Sequence, residues 1–358
     1  MIPQIGPRLA RRLVAYAGSV EAVFAEKSKL LEKIPGIGES KASGFDKDEI
    51  LKKAEIELQQ LSKKGITARF YLDADYPYRL KECEDAPIIL FSKGETDFNA
   101  SKIISIVGTR RATEYGRAAV EEIVGYLAAR YPKLIVVSGL AYGIDILAHR
   151  AALKNNLHTI AALGHGLDFI YPAVHRNEAA KIEKSGALVT EFPSGKKADP
   201  GNFISRNRII AGLADATIIV ESAQKGGALI TADLANSYNR DVYALPGRNT
   251  DTYSKGCNAL IKQNKAALFE NGADIELALR WTPENENRKP QFTQQALFSE
   301  LSDDEKRIVQ YLSEGKSGFH DEICYALKLP THKVSAGLTN LEFNGMVRVL
   351  PGKQYQKI

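Results

Sequence analysis

The chain has 358 residues, of which 44% are hydrophobic and 25% are charged, a balance typical of a soluble globular protein with two or three domains. This composition excludes disordered and fibrous proteins, and no apolar run approaches the ~18 residues that a membrane-spanning helix requires. The three cysteines, Cys83, Cys257 and Cys324, lie far apart, which excludes a disulfide scaffold and a zinc site of closely spaced cysteine pairs. The N-terminus carries no secretory pattern, so a cytoplasmic protein without a membrane span is expected.

The net charge of +5 is modest, but it is unevenly distributed along the chain. Counting Lys and Arg against Asp and Glu gives +4 over residues 1–70, −4 over 71–100, +5 over 101–281, −1 over 282–300 and +1 over 301–358. A positive excess in the large middle segment permits nucleic-acid binding without requiring it.

Residues 1–66 predict a small helical domain with a turn that looks like the hairpin of a helix-hairpin-helix unit. Helices are predicted over Arg8–Ala17, from the turn Ile34-Pro35-Gly36-Ile37-Gly38 to Ala42, and over the amphipathic stretch Ile50–Leu61. Glycines in such a turn let backbone N–H groups approach a phosphate at a helix N-terminus. Because glycine turns also simply join packed helices, the structural role of this turn is the more common one.

Residues 67–281 are expected to form the core, and from Lys102 their pattern predicts an α/β fold with a doubly wound parallel sheet. Short runs rich in β-branched residues alternate with helical stretches, as in a sheet covered on both faces. The predicted strands are Ile103–Val107, Leu134–Val137, Thr159–Leu163, Ala187–Val189, Thr217–Val220 and Val242–Leu245. Such folds bind ligands at the carboxyl ends of their strands, and the small and basic residues of this segment follow those ends.

Residues 282–297 are polar and contain prolines, which predicts a linker. Residues 298–358 predict three helices followed by a small hairpin, the arrangement of a winged helix-turn-helix domain. The third predicted helix, His332–Asn344, offers Lys333 as its one firm cation. A helix with so few cations is poorly suited to binding in a DNA groove.

Several common catalytic motifs are absent from the sequence. It contains no ATP-binding phosphate loop, no His-Glu-x-x-His and no Gly-x-Ser-x-Gly, and Gly164-His165-Gly166 lacks the third glycine of a dinucleotide fingerprint. The core histidines, His149, His158, His165 and His175, have no metal-ligand partner at a suitable spacing. No catalytic residue, cofactor or metal is therefore predicted.

Four glycine-rich or basic turns are predicted at the ligand edge of the core. Each turn offers backbone N–H groups at a helix start, arginine side chains, or both, and groups of either kind bind phosphate oxygens. The turns are Gly108-Thr109-Arg110-Arg111, Ser138-Gly139-Leu140-Ala141-Tyr142-Gly143-Ile144-Asp145, Asn202-Phe203-Ile204-Ser205-Arg206-Asn207-Arg208 and Lys225-Gly226-Gly227-Ala228-Leu229-Ile230-Thr231-Ala232. Arg248, after Pro246-Gly247, adds a fifth arginine, and together these residues predict a phosphate-bearing ligand.

Motifs within these turns resemble the DprA/Smf family of bacterial DNA-processing proteins, and the resemblance covers essentially the whole chain. The motifs are Ser138-Gly139-Leu140-Ala141-x-Gly143-Ile144-Asp145 with Ala148-His149, Val107-Gly108-Thr109-Arg110 with Tyr115-Gly116, Arg206-Asn207-Arg208-Ile209-Ile210-Ala211-Gly212, Leu229-Ile230-Thr231-Ala232, and Tyr76-Pro77-x-Arg79-Leu80. The resemblance implies a SAM-like domain, an extended Rossmann core and a winged helix.

The resemblance also implies a function without catalysis. A family member would bind single-stranded DNA, recruit RecA onto it, protect incoming DNA during natural transformation and form a homodimer through its Rossmann domain. By motif, Arg110 should hold a backbone phosphate, the Ser138-Gly139 and Gly226-Gly227 turns should contribute N–H groups, and Phe203 should contact a base. The full predicted DNA site is Gly108, Thr109, Arg110, Arg111, Ser138, Gly139, Gly143, Asn202, Phe203, Arg206, Asn207, Arg208, Lys225, Gly226 and Gly227.

Two departures from the family pattern bear on loop geometry. Ile204 stands where a proline usually follows the phenylalanine, and Gly226-Gly227-Ala228 replaces the usual Ser-Gly-Ser/Thr. Stacking on a base and packing in the core are both open for Phe203.

Two other classes of function are also compatible with parts of the sequence. The Lys225-Gly226-Gly227-Ala228 turn is similar to the Pro-Gly-Gly-x-Gly-Thr loop of the LOG phosphoribohydrolases, which release a base from nucleoside monophosphates, although the proline and the final Gly-Thr are missing. The winged helix would suit a regulator that binds double-stranded DNA.

Overall fold

A computed structural model describes residues 5–38, 46–283, 301–313, 317–350 and 352–358. The chain divides into two units, Met1–Leu277 and Ala278–Ile358. The predicted helix end at Ala42 and residues 284–297 of the predicted linker lie outside the described residues.

The first unit begins with a helical region. Its helices are α1 (Pro7–Ala17), α2 (Val20–Ala25), α3 (Ser28–Leu31) and α4 (Lys47–Lys63). Pro7 is the first residue of α1, a position at which a backbone N–H makes no hydrogen bond within the helix, so the lack of an N–H in proline costs nothing there. Asp46 caps α4 by accepting a hydrogen bond from the Glu49 N–H at 3.0 Å. A small apolar core holds the region together, formed by Leu13, Val23, Leu31, Ile34 and Ile37.

A nine-stranded sheet forms the centre of the first unit. Its strands are β1 (Thr67–Phe70), β2 (Ile89–Gly94), β3 (Ile103–Val107), β4 (Ile135–Ser138), β5 (His158–Ala162), β6 (Gly186–Thr190), β7 (Ala216–Ile219), β8 (Asp241–Ala244) and β9 (Ala267–Leu268). They lie in the order β1-β2-β6-β5-β4-β3-β7-β8-β9. The seven strands β6-β5-β4-β3-β7-β8-β9 are parallel to one another, which confirms the predicted parallel sheet. In contrast, β2 runs antiparallel to β6, and β1 runs antiparallel to β2.

Helices flank this sheet and connect its strands. They are α5 (Tyr78–Lys81), α6 (Glu114–Arg130), α7 (Ile144–Lys154), α8 (Arg176–Lys184), α9 (Pro200–Leu213), α10 (Gly227–Ser237), α11 (Lys255–Lys262) and α12 (Gly272–Ala278), with a 3₁₀ turn at Ala173–His175. All five residues of β3 are buried, as in a strand covered on both faces. From β3 the chain builds outward to β6 and then returns to β7 on the other side of β3. A doubly wound sheet binds ligands at this reversal.

The second unit contains the winged-helix elements. Helices α13 (Asp303–Tyr311), α14 (His320–Leu327) and α15 (Thr331–Phe343) accompany a three-stranded sheet of β10 (Ser317–Phe319), β12 (Gln354–Lys357) and β11 (Val347–Leu350). Ser302 and Glu305 form a reciprocal capping box at the start of α13. The predicted three helices and hairpin are confirmed, and β10 is an additional strand.

No helix in the described ranges combines the length and apolar character that crossing a lipid bilayer takes.

A buried ion pair fastens the segment before the core to the sheet. Arg79 of α5 donates to both carboxylate oxygens of Asp215, at 2.6 and 3.0 Å, and the Asp215 carboxylate also accepts from the Ile103 N–H at 2.9 Å. Arg240 donates to the carbonyl oxygen of Arg79 at 3.0 Å. Both members of the pair are buried, so loss of either leaves an uncompensated charge in the interior.

We therefore expect Arg79→Met to lower the free energy of unfolding by about 3–5 kcal/mol, because Asp215 keeps its charge and loses its partner. Urea unfolding followed by circular dichroism measures this loss. The control is Lys265→Met, which breaks an ion pair with Asp233 whose side chains are 46% and 56% exposed. That change should cost no more than about 1 kcal/mol, and equal losses in the two variants would contradict the prediction.

Candidate nucleic-acid interface

Three loops meet at the carboxyl edge of the sheet beside the reversal point. They follow β3 (Gly108–Arg111), β4 (Gly139–Gly143) and β7 (Val220–Gly226). The Thr109 N–H donates to the Glu221 carbonyl at 2.7 Å, and the Ile144 N–H donates to the Thr109 carbonyl at 3.1 Å. These backbone hydrogen bonds join the three loops into one surface.

Gly143 makes the close contact between two of these loops possible. Its φ is +75°, and a Cβ at this position would lie 2.1 Å from the Thr109 carbonyl oxygen. Only glycine satisfies both conditions. Ser138 also has an internal role, because its buried hydroxyl donates to the Ile106 carbonyl at 2.6 Å. Gly143 and the Ser138 side chain therefore shape the edge from within.

The prediction of a turn over Asn202–Arg208 is wrong, because these residues belong to α9. Asp199 caps this helix by accepting from the Gly201 N–H at 2.9 Å, and Pro200 is its first residue. The Asn202 amide group donates to the Lys197 carbonyl at 3.2 Å. Phe203 is thus held near the start of a helix and not in a loop.

Arg206 and Arg208 of α9 are buried and have partners inside the protein. Arg206 donates to the Gly139 carbonyl at 2.6 Å and also to the Ala162 carbonyl. Arg208 forms an ion pair with Glu191. Their charges are therefore engaged in the interior, in contrast to the expectation that each arginine of this edge serves a ligand phosphate.

Asp145 lies beside Arg206 in the same buried layer. Burial raises the pKa of the Asp145 carboxyl, while the charge of Arg206, a hydrogen bond from the Ala141 backbone, the charge of Arg110 and a hydrogen bond from the Gly139 backbone act in the opposite direction. Burial lowers the pKa of Arg206 to about 10, opposed by the charge of Asp145. The Asp145 carboxylate and the Arg206 guanidinium thus stabilise each other's charge within this layer.

Above this layer, three predicted cations are exposed. Arg110, Arg111 and Lys225 have no acidic group within 4 Å in the part of the chain that the structure describes. Their charges are available to a ligand at the edge.

Phe203 lies next to the first of these cations. The guanidinium carbons of Arg110 and Arg206 are each 5.9 Å from the centre of the Phe203 ring, which is within cation–π range. Gly164 leaves space for this ring, because a Cβ there would lie 2.8 Å from Cδ1 of Phe203. An exposed cation and a half-buried aromatic ring are thus adjacent.

The Lys225-Gly226-Gly227 turn begins α10 without a side-chain cap. Uncapped N–H groups at a helix start are ready donors for an anion. Asn207 donates from its side chain to the Gly227 carbonyl at 3.4 Å and so connects α9 with this turn. Gly227 is exposed, and open space surrounds the position of its absent Cβ.

Sequence reasoning missed two residues at this edge. Glu221 is buried and accepts from the Thr113 N–H at 2.9 Å and the Thr113 hydroxyl at 2.6 Å, so it fixes the start of α6. The available signal was a charged residue directly after an apolar strand. Tyr171 contacts the Phe203 ring across 5.7 Å between ring centres, and no sequence pattern pointed to it.

The fold and this edge place the chain among Rossmann-like proteins that carry a helical N-terminal region and a winged helix. Residues 67–280 match the family described as DNA recombination-mediator protein A. Residues 1–43 match the SAM-like helix-hairpin-helix tandem, and residues 293–353 match the DprA winged helix domain.

Named relatives agree with these matches. Protein Smf of Synechocystis sp. is 33% identical over 99% of this chain and 96% of its own length. DNA processing protein DprA of Streptococcus pneumoniae is 39% identical over 57% of this chain and 71% of its own length. The chain therefore belongs to the DprA/Smf family of DNA-processing proteins.

Two solved structures share the fold. DprA from Streptococcus pneumoniae superposes with a TM-score of 0.66 at 33% identity, over 77% of this chain and 93% of that one. DNA processing protein A from Helicobacter pylori, described for its single-stranded DNA binding mode, gives 0.54 at 28% identity, over 60% of this chain and 95% of that one.

Below the edge, His149 is completely buried. Its Nδ1 lies 2.7 Å from the Thr159 hydroxyl, which itself donates to the Val136 carbonyl at 2.7 Å, so His149 must supply the proton of the first hydrogen bond. Burial, with smaller contributions from Arg206 and His175, lowers the pKa of His149 to about 3. Its role in the described structure is that of a neutral interior group.

This pKa predicts a pH-dependent stability. The unfolded chain binds a proton at His149 near pH 6.5, and the folded chain resists it down to about pH 3, so acidification favours unfolding. Between pH 6.5 and 5 this residue alone should cost about 2 kcal/mol. We expect His149→Gln to lose less stability than the parent protein over that range in urea unfolding, and parallel pH profiles would refute the assignment.

Proposed function

We propose that the protein binds single-stranded DNA at the carboxyl edge of its core, protects incoming DNA and loads RecA onto it without catalysing a reaction. The observation that carries this proposal is the exposed Arg110 guanidinium beside the half-buried Phe203 ring. The single-stranded DNA binding mode described for the Helicobacter pylori relative supports it.

A single strand offers phosphates and unpaired base faces at once, whereas a duplex hides the faces of its bases. In our proposal Arg110, Arg111 and Lys225 bind phosphates, and Gly226-Gly227 adds N–H groups at the start of α10. Phe203 stacks on a base. Because none of these groups reads base edges, we expect binding to be tolerant of sequence.

The remaining predicted residues act on the strand indirectly in this proposal. Arg206 and Arg208 hold α9, Asn207 links it to α10, and Asn202 binds the loop before it. The Gly108, Thr109, Ser138, Gly139 and Gly143 positions shape the loops that carry Arg110.

We propose a division into domains at residues 1–66, 67–281 and 298–358, joined by the linker 282–297. The middle domain would form the homodimer. Strand β9 has no neighbour on its outer side in the described ranges, and Leu268 on it and Leu277 nearby in sequence are 51% and 79% exposed. Sedimentation at micromolar concentration tests whether the protein is a dimer. Assembly of RecA on single-stranded DNA that is coated with single-strand-binding protein tests whether the protein loads RecA.

The enzymatic alternative is a LOG-like phosphoribohydrolase built on the Lys225-Gly226-Gly227 turn. Incubation with nucleoside monophosphates distinguishes the two classes, since release of free base would support the enzyme and overturn the non-catalytic proposal.

We expect Arg110→Ala to weaken binding to every single-stranded sequence to a similar degree. If Arg110 neutralises one phosphate, the slope of log K against log salt should become shallower by about 0.7. Fluorescence anisotropy over a salt series measures both quantities. Stability should change by less than about 0.5 kcal/mol, because the side chain is exposed.

The matched control is Arg150→Ala, since Arg150 is also exposed but forms an ion pair with Glu178 at 2.5 Å. It should leave the affinity and the salt slope unchanged. A normally folded Arg110→Ala protein with the parental salt slope would place this arginine away from the DNA.

We also expect a chain ending at Trp281 to keep its affinity for single strands within tenfold. The second unit carries little net charge, and three of its cations already have acidic partners: Lys333 with Asp304, Lys306 with Asp303 and Arg307 with Asp304. Gel shifts with single-stranded and duplex DNA of equal length provide the measurement. A loss of more than tenfold would assign DNA binding to the winged helix, and tighter binding of the full chain to the duplex would contradict the proposed preference for single strands.

A further inference from the structure

Tyr171 presents an exposed aromatic ring beside the proposed DNA site. The residue is 51% exposed and belongs to the segment that follows β5. Its ring centre lies 5.7 Å from that of Phe203, with an angle of 37° between the two planes. Its hydroxyl has no hydrogen-bond partner among the described residues, so no hydrogen bond of the side chain explains the position of the ring.

The segment that carries Tyr171 is fixed by interior contacts. The Tyr171 N–H donates to Nε2 of His165 at 3.3 Å, and Nδ1 of His165 lies 2.9 Å from the Gly166 carbonyl. His165 is buried, and its ring stacks on Phe169 at 4.5 Å. The backbone that carries the exposed ring is therefore fixed before any ligand arrives, and the ring itself packs on Phe203, which lowers the entropic cost of binding.

Phe203 and Tyr171 together form a continuous aromatic surface. Arg110 borders it on the Phe203 side, with its guanidinium carbon 5.9 Å from that ring. Aromatic rings beside a cation are the usual means by which proteins hold single strands, with bases stacked on the rings and phosphates on the cation. A duplex could not use the second ring, because its bases are stacked on one another.

We propose that Tyr171 is a second base-stacking residue, which receives the nucleotide next to the one on Phe203. This inference rests on the proposed single-strand binding. In the sheet order, β5 lies on one side of β3 and β7 on the other. The bound strand would therefore run from the end of β5, beside Tyr171, past Phe203 and Arg110 to the α10 turn that follows β7.

The test compares Tyr171→Leu with Tyr171→Phe in the full chain, using anisotropy of a labelled single strand. Leucine keeps an apolar contact with Phe203 but has no aromatic face, so affinity should fall at least about fivefold. Phenylalanine keeps the face and should retain the parental affinity. Both variants should keep the parental salt slope, because no phosphate contact is lost.

A strand of the same length with abasic sites provides the second arm. On this strand the Tyr171→Leu variant and the parent protein should bind equally, because there is no base to stack. Tyr325→Ala, which removes a tyrosine that is 89% exposed in the second unit, is the control for loss of an unrelated exposed ring.

The outcomes separate the inference from the function on which it rests. If Arg110→Ala weakens binding and Tyr171→Leu does not, single-strand binding stands and the stacking role of Tyr171 is overturned. An equal loss for leucine and phenylalanine, or a loss that persists on the abasic strand, also overturns it. Failure of the parent protein to bind single strands overturns the proposed function itself.

Discussion

The proposed DNA-binding edge depends on one buried contact, the Arg206 guanidinium between the ends of β4 and β5. Arg206 donates to the carbonyl oxygens of Gly139 and Ala162, and Asp145 lies beside it. Phe203 stands three residues earlier on the same helix face. The arginine therefore sets the position of the aromatic ring over the edge while its charge is compensated within the protein.

This contact divides the edge into two layers. The inner layer holds Arg206, Arg208, Asp145 and Glu191, whose charges compensate one another in an interior of low polarity. The outer layer holds cations such as Arg110 that have no acidic partner within the described residues. Partly buried electrostatic networks hold a surface rigid, and exposed charges on a rigid surface bind with less loss of entropy. The division thus suits an extended, flexible ligand.

The parallel sheet could be predicted from the sequence, because its strands are apolar runs separated by helical stretches. The antiparallel pairing of β1 with β2 could not be predicted from the sequence. Thr67–Phe70 is short and only partly buried, and β2 pairs with β6, whose paired residues lie 93–99 positions later in the sequence (Gly94 with Ala187, Phe91 with Thr190). Strand β9 has two residues, both exposed, and so carries no periodic signal.

The candidate site was predicted less completely, and the cause is the assignment of α9. Pro200-Gly201-Asn202 has the composition of a turn. In the structure, however, these residues form the first turn of a helix, because Asp199 caps it and Pro200 is its first residue. Along a helix, Arg206 shares a face with Ile209, Ile210 and Leu213, all of them buried.

Helical periodicity alone would thus have placed Arg206 in the interior, whereas a turn leaves every arginine free to serve a phosphate. Arg110, by contrast, follows a buried strand directly and lies in a loop under either assignment. The error in one secondary-structure element therefore overstated the number of arginines predicted to bind phosphates, whereas the prediction for Arg110, which carries the proposed function, did not depend on that element.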